Sequence, residues 1–177
     1  AMNNLSYLHP KISNFYETEF SNVGRSVHTL AVKATNRFEA TRDKVQKYLN
    51  AKHREEIIFT KSATESINLV ASSFGKKHIH KGDEILITEL EHHSNYVPWH
   101  YLRSEKGAII KFAPVNEDGD VEINSIKKLI TDKTKIIAVT HISNVTGAIL
   151  PITKIVELAK EKNIPVLIDG TQGAPHC

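Results

Sequence analysis

The stretch VLIDGTQGAPHC, residues 166–177, opens with three aliphatic residues and sets a carboxylate where they stop. Val166, Leu167 and Ile168 are apolar without alternation, the pattern of a strand buried on both faces. Asp169 then stands at the carboxyl end of that strand, the edge at which open α/β sheets bind ligands. Working outward, short apolar runs recur upstream at 136–139, 108–112, 85–87 and 57–59. Between them the period changes to three or four. Leu30, Ala34, Phe38, Thr41, Val45, Tyr48 and Leu49 mark one helical face, and TESINLVASSF (64–74) marks another helix with Gly75 as its expected C-cap. Further helices are expected near 95–105, over 123–130 and after Pro151, a residue suited to a first helical turn. Asp118-Gly119 reads as a turn. Strands buried on both faces need helical cover, so the expected fold is α/β with a mostly parallel sheet.

The chain has 177 residues, enough for one domain with a real core. No apolar run approaches the ~20 residues of a membrane span, and no signal-peptide pattern opens the chain. A single cysteine excludes an internal disulfide, so a cytoplasmic setting is expected. The net charge of +3 is carried by scattered lysines, which argues against a nucleic-acid footprint.

Polar clusters follow four of the apolar runs: Ser62-Ala63-Thr64-Glu65, Glu91-His92-His93-Ser94-Asn95, Ser143-Asn144-Val145-Thr146-Gly147 and Asp169-Gly170-Thr171-Gln172. The opposite ends carry mostly Lys- and Glu-bearing turns, and this asymmetry points to a site. Each cluster also has a plain structural use. Ser62 with Glu65 makes a capping box, although the same helix start, with unpaired amides and a positive dipole, suits a phosphate. His92-His93 lacks further ligands at metal spacing, so zinc is disfavoured and one imidazole stacking on a planar ligand is the alternative. Asn144 can shape a turn. Asp169 can cap a helix. An acid at a strand end with an amide three residues on also suits a heteroaromatic ring, the acid holding a protonated ring nitrogen and the amide donating to a ring oxygen. No G-x-G-x-x-G or G-x-x-x-x-G-K-[ST] string follows a strand, which weakens a nucleotide-binding reading.

At these residues the chain resembles the class V aminotransferase-fold, pyridoxal-phosphate-dependent cysteine desulfurases, in the branch of the SufS-type enzymes and selenocysteine lyases. The matching strings are RSVHTLAVKAT (25–35), TESINLVA (64–71), EHHSNYVPW (91–99), THISNVTGAILP (140–151) and VLIDGTQGAPH (166–176). The resemblance implies the large domain of a fold-type I enzyme and pyridoxal 5′-phosphate as cofactor. It implies that the Ala63 and Thr64 amides and the Thr64 hydroxyl hold the phosphate, and that His92 stacks on the ring. Asn144 would face the ring hydroxyl and substrate, Asp169 the pyridinium nitrogen, and Gln172 the phenolic oxygen. Arg25 and His28 match an R-G-x-H region near the site. Ser26 stands where the family has Gly, Gly24 where it often has His, and Ala63 where it has Thr. The last change removes one hydrogen bond to phosphate, worth about 1 kcal/mol. The family's opening Y-L-D-x-A-A turn has only a faint echo in Tyr7-Leu8.

The family's Schiff-base lysine comes in an S-x-H-K string after the aspartate, and its nucleophilic cysteine and carboxylate-binding arginine come later still. None of these strings occurs here, and Cys177 follows Asp169 too closely to be that nucleophile. The expectation is therefore an amino-terminal piece, residues 1–27 as an arm and 28–177 as part of the cofactor-binding domain, with no catalytic residue of its own. The parent would convert L-cysteine to alanine and pass a persulfide to a sulfur-acceptor protein for iron–sulfur cluster assembly. A homodimer or other self-association is expected from uncovered strand edges. A natural non-catalytic homologue that binds a full-length enzyme, or a piece of a selenocysteine lyase, remain alternatives.

Overall fold

A computed structural model of the chain describes residues 3–24 and 28–176. Arg25, Ser26 and Cys177, named above, lie outside the described residues. The chain forms two compact units, Ala1–Phe59 and Thr60–Cys177.

The first unit holds α1 (Asn3–Thr18) and α2 (Thr29–Tyr48). Leu8, Ile12, Tyr16 and Phe20 recur every four residues along α1 and beyond it, and all are exposed. His28 caps α2, its Nδ1 accepting from the Ala31 amide at 3.3 Å. The run Ile57-Ile58-Phe59 is not a strand. Its backbone is claimed by a side chain instead: the Arg42 guanidinium donates to the Ile57 carbonyl and lies over the Phe38 and Phe59 rings, 5.3 and 5.0 Å from their centroids. A carbonyl satisfied this way has less call for a ladder partner.

The second unit is a parallel four-stranded sheet with helices on both faces. It contains α3 (Ala63–Val70), α4 (Lys76–His78), β1 (Glu84–Thr88), α5 (Val97–Lys106), β2 (Ile109–Ala113), α6 (Ile123–Leu129), β3 (Thr134–Thr140), α7 (Ile152–Glu161), β4 (Val166–Asp169) and α8 (Gly173–His176). The strand order is β2-β1-β3-β4, so the chain leaves β1 toward one edge and β3 toward the other. Alternate residues serve different cores. Ile85, Ile87, Ile136 and Ala138 pack with Ile67, Trp99 and Leu102 from α3 and α5. Leu86, Ile137 and Val139 pack with Ile126, Ile155 and Ala159 from α6 and α7. The expected α/β fold with a parallel sheet is what the chain adopts, and β1 is buried at every position.

Gly75 does not cap α3 as expected. The helix runs through a π-turn, Ala71–Gly75, into α4, and Gly75 keeps helical dihedrals of −59° and −51°. Its role is close approach: a Cβ there would stand 2.5 Å from Leu102 Cδ1 of α5.

At the far end of the sheet Glu84 is buried and paired with Lys111 at 2.8 Å. Its other oxygen accepts the Thr131 hydroxyl at 2.6 Å and the Thr134 hydroxyl at 3.2 Å. Burial pushes this carboxyl up, but the Lys111 ammonium and the two hydroxyls outweigh it and leave the pKa below its ordinary value. The sheet therefore has a structural ion pair at its amino edge, opposite the polar clusters.

Candidate cofactor site

The crevice beyond the carboxyl ends of β1, β3 and β4 is a pocket of about 300 Å³. It is lined by Ala63, Thr64, His92, Asn144, Asp169 and Gln172, the residues picked from the sequence, and by Ser62, Ser94, Thr140, Ile142 and Thr171. It lies where the connections from β1 and β3 diverge, the position favoured for ligands in open α/β sheets.

One wall is the start of α3. Ser62 Oγ accepts the Glu65 amide at 3.2 Å. Glu65 reaches back one residue farther than in the usual capping box, to the Lys61 amide at 2.6 Å. The Ala63 and Thr64 amides precede the first intrahelical donor, the Ser66 N–H, and stay available to an anion, aided by the helix dipole.

The floor is Asp169, at the last position of β4 and 8% exposed. Its Oδ1 accepts both the amide and the hydroxyl of Thr171, at 3.0 and 2.6 Å. No donor among the described residues reaches Oδ2. The carboxylate is thus oriented through one oxygen and left with the other to offer.

His92 and Asn144 sit on the loops above. The His92 side chain caps a 3₁₀ turn, His93–Asn95, with Nδ1 3.1 Å from the Ser94 amide and 2.9 Å from the Ser94 hydroxyl. Ser94 Oγ lies 2.8 Å from Thr64 Oγ1, so a hydroxyl bridge joins this loop to α3. The turn around Asn144 is shaped by its neighbour. Ser143 is buried, and its hydroxyl accepts the Val145 and Thr146 amides at 3.3 Å each. That leaves the exposed Asn144 amide, like that of the partly buried Gln172, without an intramolecular partner among the described residues.

Behind the pocket Glu91 and Asn95, already named within a polar cluster, belong to a network whose pairings residue patterns alone did not reveal. Glu91 Oε1 accepts the Thr88 hydroxyl at 2.6 Å and the Thr140 amide at 3.0 Å. Its Oε2 accepts from Asn95 at 2.6 Å, and Asn95 in turn accepts the Trp99 indole N–H at 3.1 Å. Glu91, Asn95 and Trp99 stand four residues apart, a spacing that could have signalled an inward-facing series. Burial raises the Glu91 pKa above its ordinary value, the Asp169 carboxylate adds to that, and the three hydrogen bonds work against it.

The donor set suits a planar, nitrogen-containing ring carrying a phosphate: free amides at a helix start, an imidazole alongside, and a buried carboxylate with one unused oxygen. Pyridoxal phosphate meets that description. Among the described residues no lysine lines the pocket.

Comparison with known proteins agrees with this geometry. The family model described as aminotransferase class-V matches residues 7–177. A probable cysteine desulfurase of Halalkalibacterium halodurans is 44% identical over 165 residues, 93% of this chain and 41% of that protein. Among solved structures, a cysteine desulfurase from Thermococcus onnurineus is 34% identical with a TM-score of 0.89, covering 94% of this chain and 41% of that one. One from Escherichia coli is 36% identical with a TM-score of 0.82, covering 93% and 41%. The chain therefore spans about two fifths of the length of each of these three relatives. Membership implies pyridoxal phosphate as the family's cofactor. With its strand-end pocket, its sheet order and this match over nearly its whole length, the chain belongs to the class-V aminotransferase family.

Proposed function

We infer that this chain forms the cofactor-holding part of a cysteine desulfurase, binding pyridoxal 5′-phosphate for a reaction on L-cysteine. The observation that carries the reading is Asp169, buried at the end of β4 with Oδ2 unclaimed in the same pocket as the open start of α3. On this reading residues 28–177 belong to the cofactor-binding large domain and 1–27 form an arm before it.

Bound there, pyridoxal phosphate supplies an electron sink for chemistry at the amino acid's α-carbon. The chain's own residues bind and orient. The Ala63 and Thr64 amides and the Thr64 hydroxyl hold the phosphate, with the α3 dipole favouring its charge. His92 covers one ring face. Asp169 Oδ2 would accept a hydrogen bond from the protonated ring nitrogen and so keep that proton in place. Gln172 donates to the phenolic oxygen, and Asn144 faces the same side and the incoming amino acid. Among the described residues no lysine lines the pocket, so on this reading the residues in hand hold the cofactor without a covalent bond and release no sulfide from cysteine.

Self-association is part of the reading. It is supported by the exposed series Leu8, Ile12, Tyr16 and Phe20 and by β4 as an edge strand with Ile168 42% exposed. The expected partners are a second copy and, for the complete enzyme, a sulfur-acceptor protein. The expected setting is the cytoplasm.

The test is a titration with pyridoxal phosphate followed by its absorbance. A saturable spectral change is expected, weakened about tenfold by Asp169→Asn, since a hydrogen bond to a charged group is worth roughly 1.5–3 kcal/mol. No saturable change, or equal affinity in the variant, would overturn the reading, and alanine released from cysteine would overturn the claim of inactivity.

A further inference from the structure

We propose that Ser94 is a positioning residue which ties the phosphate-holding end of the pocket to the ring-facing end, so that the Thr64 hydroxyl controls how His92 is held. The proposal deepens the reading of the same pocket and rests on it for the identity of the ligand. The relay itself exists without any ligand.

Three contacts define it. The Ser94 amide points at His92 Nδ1 at 3.1 Å, and an amide can only donate. Nδ1 therefore carries a lone pair, and the proton of the imidazole sits on Nε2, directed away from the turn. The Ser94 hydroxyl, 2.9 Å from the same nitrogen, must then also donate to it. That leaves the Ser94 oxygen to accept, and Thr64 Oγ1 at 2.8 Å is the donor. The direction of every proton follows from one fixed amide: Thr64 to Ser94 to His92.

A consequence follows for binding. A phosphate monoester entering at the start of α3 needs the Thr64 hydroxyl as a donor. Thr64 has one proton, so donating to phosphate means withdrawing from Ser94. The Ser94 hydroxyl is then free to turn, and its hold on Nδ1 changes. Filling the phosphate end thereby alters the imidazole that covers the ring, across a loop 28 residues distant in sequence but one hydroxyl away in space. Hydrogen-bond chains of this kind couple through each member.

The experiment reads the ¹⁵Nδ1 resonance of His92 in the ligand-free chain. Thr64→Val, which removes the donor and leaves the shape, is expected to shift that resonance. Ser94→Ala should shift it further and abolish any effect of Thr64→Val in the double variant. Ser94→Thr, which restores a hydroxyl, should bring back the dependence on Thr64. Inorganic phosphate should move the wild-type resonance in the direction set by Thr64→Val and leave the Ser94→Ala resonance in place. Tryptophan emission from Trp99 confirms that each variant is folded. Binding supplies a second readout: Ser94→Ala should weaken pyridoxal phosphate roughly fivefold, the worth of one neutral hydrogen bond, while leaving inorganic phosphate unweakened. A His92 resonance indifferent to Thr64→Val, or a double variant in which the two effects simply add, overturns the proposal. A chain that shows the relay but gives no saturable change with pyridoxal phosphate overturns the functional reading alone.

Discussion

The carboxylate of Glu91 accepts the backbone N–H of Thr140 at 3.0 Å, although the two are 49 residues apart in the chain. Glu91 follows β1 and Thr140 ends β3, so this bond clamps the two strands where their connections diverge. With Thr88 and Asn95 also donating, the carboxylate organises the rear wall of the pocket from below.

That clamp makes stability depend on pH. The Glu91 pKa is raised above 4.5 in the folded chain, so the folded state binds the proton more tightly than the unfolded state. Its contribution is greatest below 4.5 and declines as pH rises from there through the raised value. Urea unfolding across that interval should show the decline, and Glu91→Gln should flatten it. The variant should also lose roughly 1–3 kcal/mol at neutral pH, because the new amide N–H₂ faces that of Asn95, whose oxygen is held by Trp99.

Glu84 has the opposite sign. Its pKa is lowered, so its stabilising contribution is present above 4.5 and is lost as pH falls below that. Lys111→Met leaves this buried carboxylate with only its two hydroxyl donors. A loss of about 3 kcal/mol is expected at pH 7, read from the shift in denaturation midpoint. An unchanged midpoint would show that Thr131 and Thr134 suffice.

Gly173 lies against the ring of His141, and a Cβ built on it would stand 2.1 Å from His141 Nδ1. The backbone of His141 is fixed on both sides, its amide donating to Asp169 and its carbonyl accepting from Leu150, each at 2.9 Å. Gly173→Ala should lower stability by roughly 1–3 kcal/mol, as for other overpacked sites, seen as a fall in Tm.

Trp99 is the only tryptophan, and it is fully buried with its indole N–H bonded to Asn95. Its emission should be blue-shifted and resistant to iodide quenching, then move to the red on unfolding. Trp99→Phe removes the donor and leaves the Asn95 oxygen unpaired, so a loss of roughly 1–3 kcal/mol is expected from the same unfolding curves.

Much of this molecule was legible in local pattern. Runs such as Ile85-Leu86-Ile87 and Val166-Leu167-Ile168 needed cover on both faces, and that requirement alone called for a parallel sheet between helices. The polar residues at the ends of those runs had to gather on one edge, because parallel strands all present their carboxyl ends together. The clusters that contain Asp169, His92, Asn144 and the start of α3 were thus legible in the chain, and the family resemblance supplied the role expected of each. Other features depend on neighbours that no local window contains. Ile57-Ile58-Phe59 has the composition of a strand, but Arg42 from α2 occupies its carbonyl. Gly75 has the look of a helix stop, but it stays helical and lets a Leu102 methyl from α5 pack against its bare backbone. The inward turn of Glu91 toward Thr140, and the hydroxyl bridge from Thr64 through Ser94 to His92, arise only once the loops after β1 and β3 meet. Periodicity records which residues must leave water, and it determined the layers. Which polar groups answer each other is decided by distances of about 3 Å between segments far apart in the chain, and only the tertiary structure sets those.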